Sequence, residues 1–163
     1  MAKVIIALGN DISTDDIYPG RFMATVLPSE TPQFAFSDRT DFNTRLRAKE
    51  FPAGSVVVGG ENFGCGSSRE QACSTLKGYE LTVVAKSMSR IFLQNSINLG
   101  LKVVLCPTID ASEGDELEIT EDTVRNTTTG KVFDQVKMPA SRAGIMAAGG
   151  LIPYTRTLLK ART

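Results

Sequence analysis

"SVVVGGENFGCGSSREQACSTLKGYELTVVAK", residues 55–86, carries the information that decides the fold. Its first six residues, "SVVVGG", are apolar without alternation, the pattern of a strand buried on both faces. "SSREQACSTLKG" (67–78) changes period. Ala72, Cys73, Leu76 and Tyr79 fall at i, i+1, i+4 and i+7, and Gly78 lies near the end, which predicts a helix. "LTVVAK" (81–86) predicts a second strand. Onward, "SMSRIFLQNSINLG" (87–100) predicts a helix closed by Gly100, and "KVVLC" (102–106) a third strand stopped by Pro107. Strand–helix–strand–helix–strand with apolar strands implies parallel pairing in an α/β fold.

The flanks are less regular. "KVIIAL" (3–8) predicts a strand, and Ser13 to Asp16 within "GNDISTDDIYPG" can cap a helical turn. Residues 22–50 are poorly patterned and broken by Pro28 and Pro32, with room for a short helix in 39–50. The prolines and weak apolar pattern predict that 22–36 is mobile in the isolated chain. After Pro107, "ELEIT" (116–120) and the segments flanking "TTTG" (127–130) read as antiparallel strands. "SRAGIMAAGG" (141–150) predicts a helix, and a last one is expected to begin at Pro153. With no repeat or linker, residues 1–163 are expected to form one domain.

Composition narrows the chemistry. Lys+Arg and Asp+Glu balance at 18 each, so no net field recruits nucleic acid or an anionic membrane. No apolar run approaches the roughly 20 residues of a membrane span, and "MAKVIIALGND" is too short for a signal core, so a cytoplasmic protein is expected. The three cysteines, Cys65, Cys73 and Cys106, form no CxxC, which argues against a disulfide framework or a zinc site. Histidine is absent, so acid–base work must fall on Ser, Lys, Tyr, carboxylates or a partner.

"ENFGCGSSRE" (61–70) follows a strand and opens a helix, where unpaired backbone N–H groups and the helix dipole favour an anion. Gly64 and Gly66 permit close backbone approach. Ser68 and Arg69 can face a carboxylate, which the guanidinium fork matches with two hydrogen bonds. The plainer reading is a helix cap, Ser67 with Glu70 forming a Ser-x-x-Glu box. The stretch is neither a Walker A loop nor a GxGxxG fingerprint. Cys65 reads as a loop thiol, since no histidine is available to activate it. Asp15 and Asp16 beside Ser13 and Thr14, and Lys86, Ser87 and Arg90 in "AKSMSRIF" (85–92), form two further polar groups. Each also reads as capping with solvated charges.

In order along the chain, "GNDISTDDIYPGRF", "GGENFGCGSSREQA", "AKSMSRIFLQNSINLGL" and "IMAAGGLIPY" resemble the small subunit of 3-isopropylmalate dehydratase (isopropylmalate isomerase), related to the swivelling fourth domain of aconitase. The resemblance covers nearly the whole chain and is weakest at 22–50. It implies a swivelling β/β/α domain and a hydro-lyase active only with a large subunit. That partner is expected to carry a [4Fe–4S] cluster, with no metal or cofactor on this chain. The implied reaction interconverts 2- and 3-isopropylmalate, in leucine biosynthesis, by dehydration and rehydration of a small hydroxy-diacid. The family pattern makes Ser67 the base and Asp15 an acid facing the partner. It makes Arg69 the carboxylate clamp, helped by Ser68, Gly66 and Thr14. Lys86 and Arg90 are expected behind the site or at the interface. Arg21, Phe22, Met23, Ala24 and Thr25 occupy the place of the family's substrate-choosing loop, where relatives that read an extra carboxylate carry an arginine. Apolar Phe22 to Ala24 suit an alkyl group, and Arg21 blunts that reading. Tyr18 and the 26–36 stretch depart from the common pattern, leaving 2,3-dimethylmalate, methylmalate or citramalate, and homoaconitate open. A non-catalytic anion-binding module is the reading from a different class.

Overall fold

The computed structural model describes residues 1–162. Seven strands form one sheet in the order β4-β3-β2-β1-β5-β6-β7. The parallel half comprises β1 (Ala2–Ala7), β2 (Val56–Gly59), β3 (Thr82–Ala85) and β4 (Lys102–Leu105). Its register is regular from β2 to β4, with Val57 opposite Val83 and Val83 opposite Val103. The antiparallel half comprises β5 (Glu116–Ile119), β6 (Thr123–Asn126) and β7 (Val132–Asp134). It joins through β1, where Ala2 faces Leu117. The sheet curls until the chain leaving β7 returns to β4, and Val136 N–H donates to the Leu105 carbonyl at 2.8 Å.

The valine runs divide between two cores with the strand period of two. Ile5, Val57, Val83, Ala85 and Val103 point to one face, under α2 (Thr40–Arg47), α3 (Glu70–Gly78) and α4 (Arg90–Leu99). Val4, Val56, Val58, Val84 and Val104 point to the other, where the curled half supplies Leu117 and Val124. A strand covered on both faces has no place for polar alternation, which is why these runs read as continuous.

Most expected elements form, with shifted ends. α1 (Thr14–Ile17) is closed by a capping box in which Ser13 and Asp16 bond each other's backbone N–H. Gly100 ends α4 in the left-handed region at φ 74°, with Gly149 backbone where a side chain would stand. α5 spans Ala140–Ala147, and α6 spans Leu151–Lys160 rather than starting at Pro153. Proline is tolerated there because first-turn N–H groups lack helical partners.

The 22–50 region holds more structure than its pattern predicts. It contains α2 and 3-10 turns at Gly20–Phe22 and Thr31–Phe34. Thr31, Ala35 and Phe36 are fully buried. The Thr75 hydroxyl donates to Thr31 O at 2.8 Å, and Phe36 N–H donates to Ile17 O at 2.8 Å. Residues 31–36 are thus fastened to the core, whereas residues 26–30 are exposed.

Candidate active site

Parallel strands present their carboxyl ends at one edge, where ligands bind in open α/β sheets. The segments leaving β1, β2 and β3 there are the three polar stretches of the sequence. Main-chain bonds join them. Asp11 N–H donates to Glu61 O at 2.8 Å, Gly64 N–H to Ile12 O at 2.7 Å, and Thr14 N–H to Cys65 O at 2.8 Å. On the other side, Phe63 N–H donates to Ser87 O at 3.0 Å and Ser89 N–H to Phe63 O at 2.9 Å. Short side chains close the remaining gaps. Asn10 accepts from Glu61 N–H, Ser87 accepts from Asn62 N–H, and the Ser89 hydroxyl donates to Gly64 O.

The 64–69 loop depends on its glycines. Gly64 has φ 75°, and a Cβ there would lie 2.2 Å from the Phe92 ring. Gly66 has φ 94° and faces Thr14. These left-handed residues turn the chain so that Ser67 and Ser68 stand exposed before α3. The expected Ser67–Glu70 box does not form. α3 starts at Glu70, its cap position is Arg69, and no side chain caps it. The reason is tertiary. The Thr14 hydroxyl donates to Ser67 O at 2.9 Å and lies 3.5 Å from Ser67 Oγ, holding the serine one turn short of the helix.

Arg69 and Asp15 come together. Arg69 Nη1 bonds Asp15 Oδ1 and donates to Tyr18 O at 3.2 Å, while Gly20 N–H donates to Asp15 Oδ1 at 2.8 Å. The Arg69 hydrogen bond, then the Gly20 N–H, hold the Asp15 carboxyl below the usual carboxylate range. The Arg69 side chain is 16% exposed and Asp15 63%. Arg69 Nε is buried without a hydrogen-bond partner among the described residues.

The remaining candidates fall into two groups. Thr14 is buried behind the loop, so its hydroxyl faces Ser67 rather than solvent. Lys86 and Arg90 are exposed at the β3 exit and the start of α4. The 20–25 loop lies against α3. Gly20 packs against the Arg69 fork, and Gln71 Nε2 donates to Met23 O at 3.5 Å. The buried Tyr18 hydroxyl lies 3.1 Å from Phe22 O and 3.2 Å from Thr25 O, bracing the loop from below. Phe22 stacks on Phe34 with ring centroids 4.2 Å apart, and Met23 and Ala24 face solvent.

The chain is similar to known proteins along most of its length. The aconitase C-terminal domain family model matches residues 29–109. The 3-isopropylmalate dehydratase small subunit of Methanosarcina acetivorans is 41% identical over 159 residues, covering 94% of this chain and 95% of the relative. The chain belongs to the 3-isopropylmalate dehydratase small-subunit family. Another member, the isopropylmalate/citramalate isomerase small subunit of Methanocaldococcus jannaschii, is 42% identical over 91% of this chain and 89% of its own. A crystal structure of 3-isopropylmalate dehydratase from M. jannaschii superposes with a TM-score of 0.86 at 34% identity, covering 98% of this chain and 96% of that one. The α/β family fold implied by the four sequence motifs is thus the observed one.

The family's resemblance to aconitase raises the question of an iron–sulfur cluster, and this chain's own residues do not fit one. Cys73 is buried against Phe92 O and Ser96 Oγ, and burial pushes its thiol up to about 12. Burial also raises the Cys106 thiol. Thiolates are the usual cluster ligands. Among the described residues no three His, Cys, Asp or Glu side chains converge to hold a metal ion. No described helix is long and apolar enough to cross a membrane.

Sequence reasoning missed Tyr18 as a brace and the stitching by Asn10 and Ser89, while Ser87 already stood among the polar candidates. Only Ser89 left a local signal, as a serine directly before a helix. Asn10 acts through a partner 51 residues away, and Tyr18 through nearby main-chain carbonyls that no side-chain pattern marks.

Proposed function

We propose that this chain is the small subunit of a heteromeric hydro-lyase that interconverts 2- and 3-isopropylmalate, its residues forming one swivelling domain. The observation that carries the proposal is the placement of Ser67. Its hydroxyl is exposed, excluded from capping, and held on the loop that leads to Arg69 at the start of α3. Family membership supplies the reaction class.

In this reading Ser67 takes the proton alpha to a substrate carboxylate. A serine is a weak base, so the helix N-terminus and the Arg69 guanidinium must favour its ionised form. Arg69 turns its fork from Asp15 to a substrate carboxylate, and the Gly66–Ser68 backbone holds the anion with Ser68. Asp15, mostly exposed, is free to face the partner once Arg69 leaves it. Departure of the hydroxyl as water, and its return at the neighbouring carbon, are assigned to the large subunit, where the [4Fe–4S] cluster is placed. Lys86 and Arg90 stand on the same edge and are assigned to the subunit interface.

Phe22, Met23 and Ala24 present apolar surface beside the site, which suits an isopropyl or methyl substituent. The M. jannaschii relative is named for both isopropylmalate and citramalate, so citramalate is the second substrate to test. The experiment is anaerobic reconstitution with the cognate large subunit, followed by turnover of isopropylmalate, citramalate, 2,3-dimethylmalate and homoaconitate. Preference for isopropylmalate is expected. Preference for another diacid moves the substrate and keeps the mechanism. No turnover by a stable, cluster-loaded complex overturns the reading in favour of a non-catalytic module.

A further inference from the structure

Arg21 sits one residue after Gly20, whose N–H holds Asp15, so a guanidinium stands beside the candidate site. An arginine there is the natural reader of an additional substrate carboxylate. Its fork is already filled. Arg21 Nη2 lies 2.5 Å from Asp38 Oδ1, and Nη1 lies 3.3 Å from Oδ2, using both oxygens of one carboxylate. The guanidinium carbon lies 4.7 Å from the Phe22 ring centroid, and Phe22 is in turn stacked on Phe34.

The chain is shaped to deliver Asp38 to that position. Phe36 adopts φ 51°, a left-handed conformation disfavoured for a bulky residue. Its full burial and its N–H bond to Ile17 O hold it there. Arg39 N–H then donates to Phe36 O at 2.8 Å, closing a turn around Ser37 and Asp38. Asp38, Arg21, Asp15 and Arg69 form two adjacent ion pairs. Arg21 and Asp15 also feel each other's charge, so the row alternates in sign and sums to zero.

We propose that Asp38 is a specificity-determining residue of this site: by occupying the Arg21 fork, it withholds a second cation and favours diacids whose third substituent is alkyl over those carrying a third carboxylate. The proposal rests on the functional reading above and adds a residue to it. A third carboxylate entering beside Phe22 and Met23 has to displace Asp38 or remain unpaired, and either lowers its binding. Both partners are more than half exposed, at 53% and 62%, so the pair sets a preference rather than an absolute bar.

The test is a ratio. In the reconstituted complex, kcat/KM is measured for isopropylmalate and for homoaconitate with the wild-type chain, Asp38→Asn, and Asp38→Asn combined with Arg21→Ala. Asp38→Asn is expected to raise the homoaconitate-to-isopropylmalate ratio about two- to fivefold, the scale of releasing one exposed pair. The double variant is expected to return the ratio to the wild-type value. An unchanged ratio in Asp38→Asn overturns the proposal, as does a gain that survives in the double variant. A parallel NMR titration of the isolated chain uses tricarballylate and glutarate as probes, where Asp38→Asn should tighten the tricarboxylate selectively by the same factor. That arm needs no turnover, so it separates failure of this proposal from failure of the hydro-lyase reading. Equal tightening of both probes, or of neither, overturns it.

Discussion

The Gly64–Arg69 loop and the Gly20–Thr25 loop lie side by side and are held in opposite ways. The first is fixed by main-chain hydrogen bonds to 12–14 on one side, and the Phe63 bonds to 87–89 secure its start. The second hangs on side chains: the Tyr18 hydroxyl, the Phe22–Phe34 stack and the Arg21–Asp38 pair. Backbone bonds depend little on residue identity, whereas side-chain braces change with every substitution. The proposed reaction chemistry therefore rests on a main-chain frame that only its glycines permit, and the proposed substrate choice on side-chain braces.

The strongest way to break this contrast is Ser67→Ala. Because Ser67 caps nothing, unfolding stability should change by no more than about 0.5 kcal/mol. Turnover in the reconstituted complex should fall about 10²–10⁴-fold, the usual contribution of a positioned base. A large stability loss in urea unfolding would instead return Ser67 to a structural role. Next is Gly64→Ala, which attacks the backbone frame. A methyl group against the Phe92 ring at positive φ should cost about 3 kcal/mol or more, read as a lower urea midpoint.

The side-chain region should respond more gently. Tyr18→Phe removes the hydroxyl beneath Phe22 and Thr25 and should cost about 1 kcal/mol. Amide exchange should quicken at 22–25 while 64–69 keeps its protection. Change at both loops would mean that they are not independently held.

The Asp15–Arg69 pair joins the two regions, and its effect should be smaller. The Asp15 carboxyl is held low, so its ionised form favours the folded chain. That stability is fully present above the ordinary carboxylate value of about 4 and is lost as pH falls through the lower folded value. Exposure of Asp15 limits it to less than about 1 kcal/mol. An NMR titration should place Asp15 below its usual range, and Arg69→Gln should raise it part of the way, the Gly20 N–H bond remaining. The smallest expected difference lies within one segment. Hydrogen exchange on the isolated chain should find residues 31–36 protected and 26–30 fast.

The parallel half was legible because its physics is local. Valine runs, helix spacing and Gly100 each specify their element within a few residues. The curl of the sheet was not, since the Val136–Leu105 bond joins residues whose pairing no short pattern encodes. The motifs located the site edge, but the Ser67–Glu70 cap was misread at the level of spacing. Ser-x-x-Glu does favour a box, but Ser67 is bonded instead to Thr14, 53 residues away, and α3 starts later, at Glu70. Asp38 was invisible for the same reason: its role depends on the left-handed turn at Phe36.

The thiol of Cys73 has a consequence for biogenesis. In the heteromer proposed above, a subunit docking against a partner that holds iron and sulfide must not become a sink for either during assembly. Cys73 and Cys106 stay protonated at neutral pH, because burial raises both, and Cys73 is shielded by Phe92 and Ser96. The interior that stabilises this chain thus also keeps two of its three thiols out of the traffic in metal.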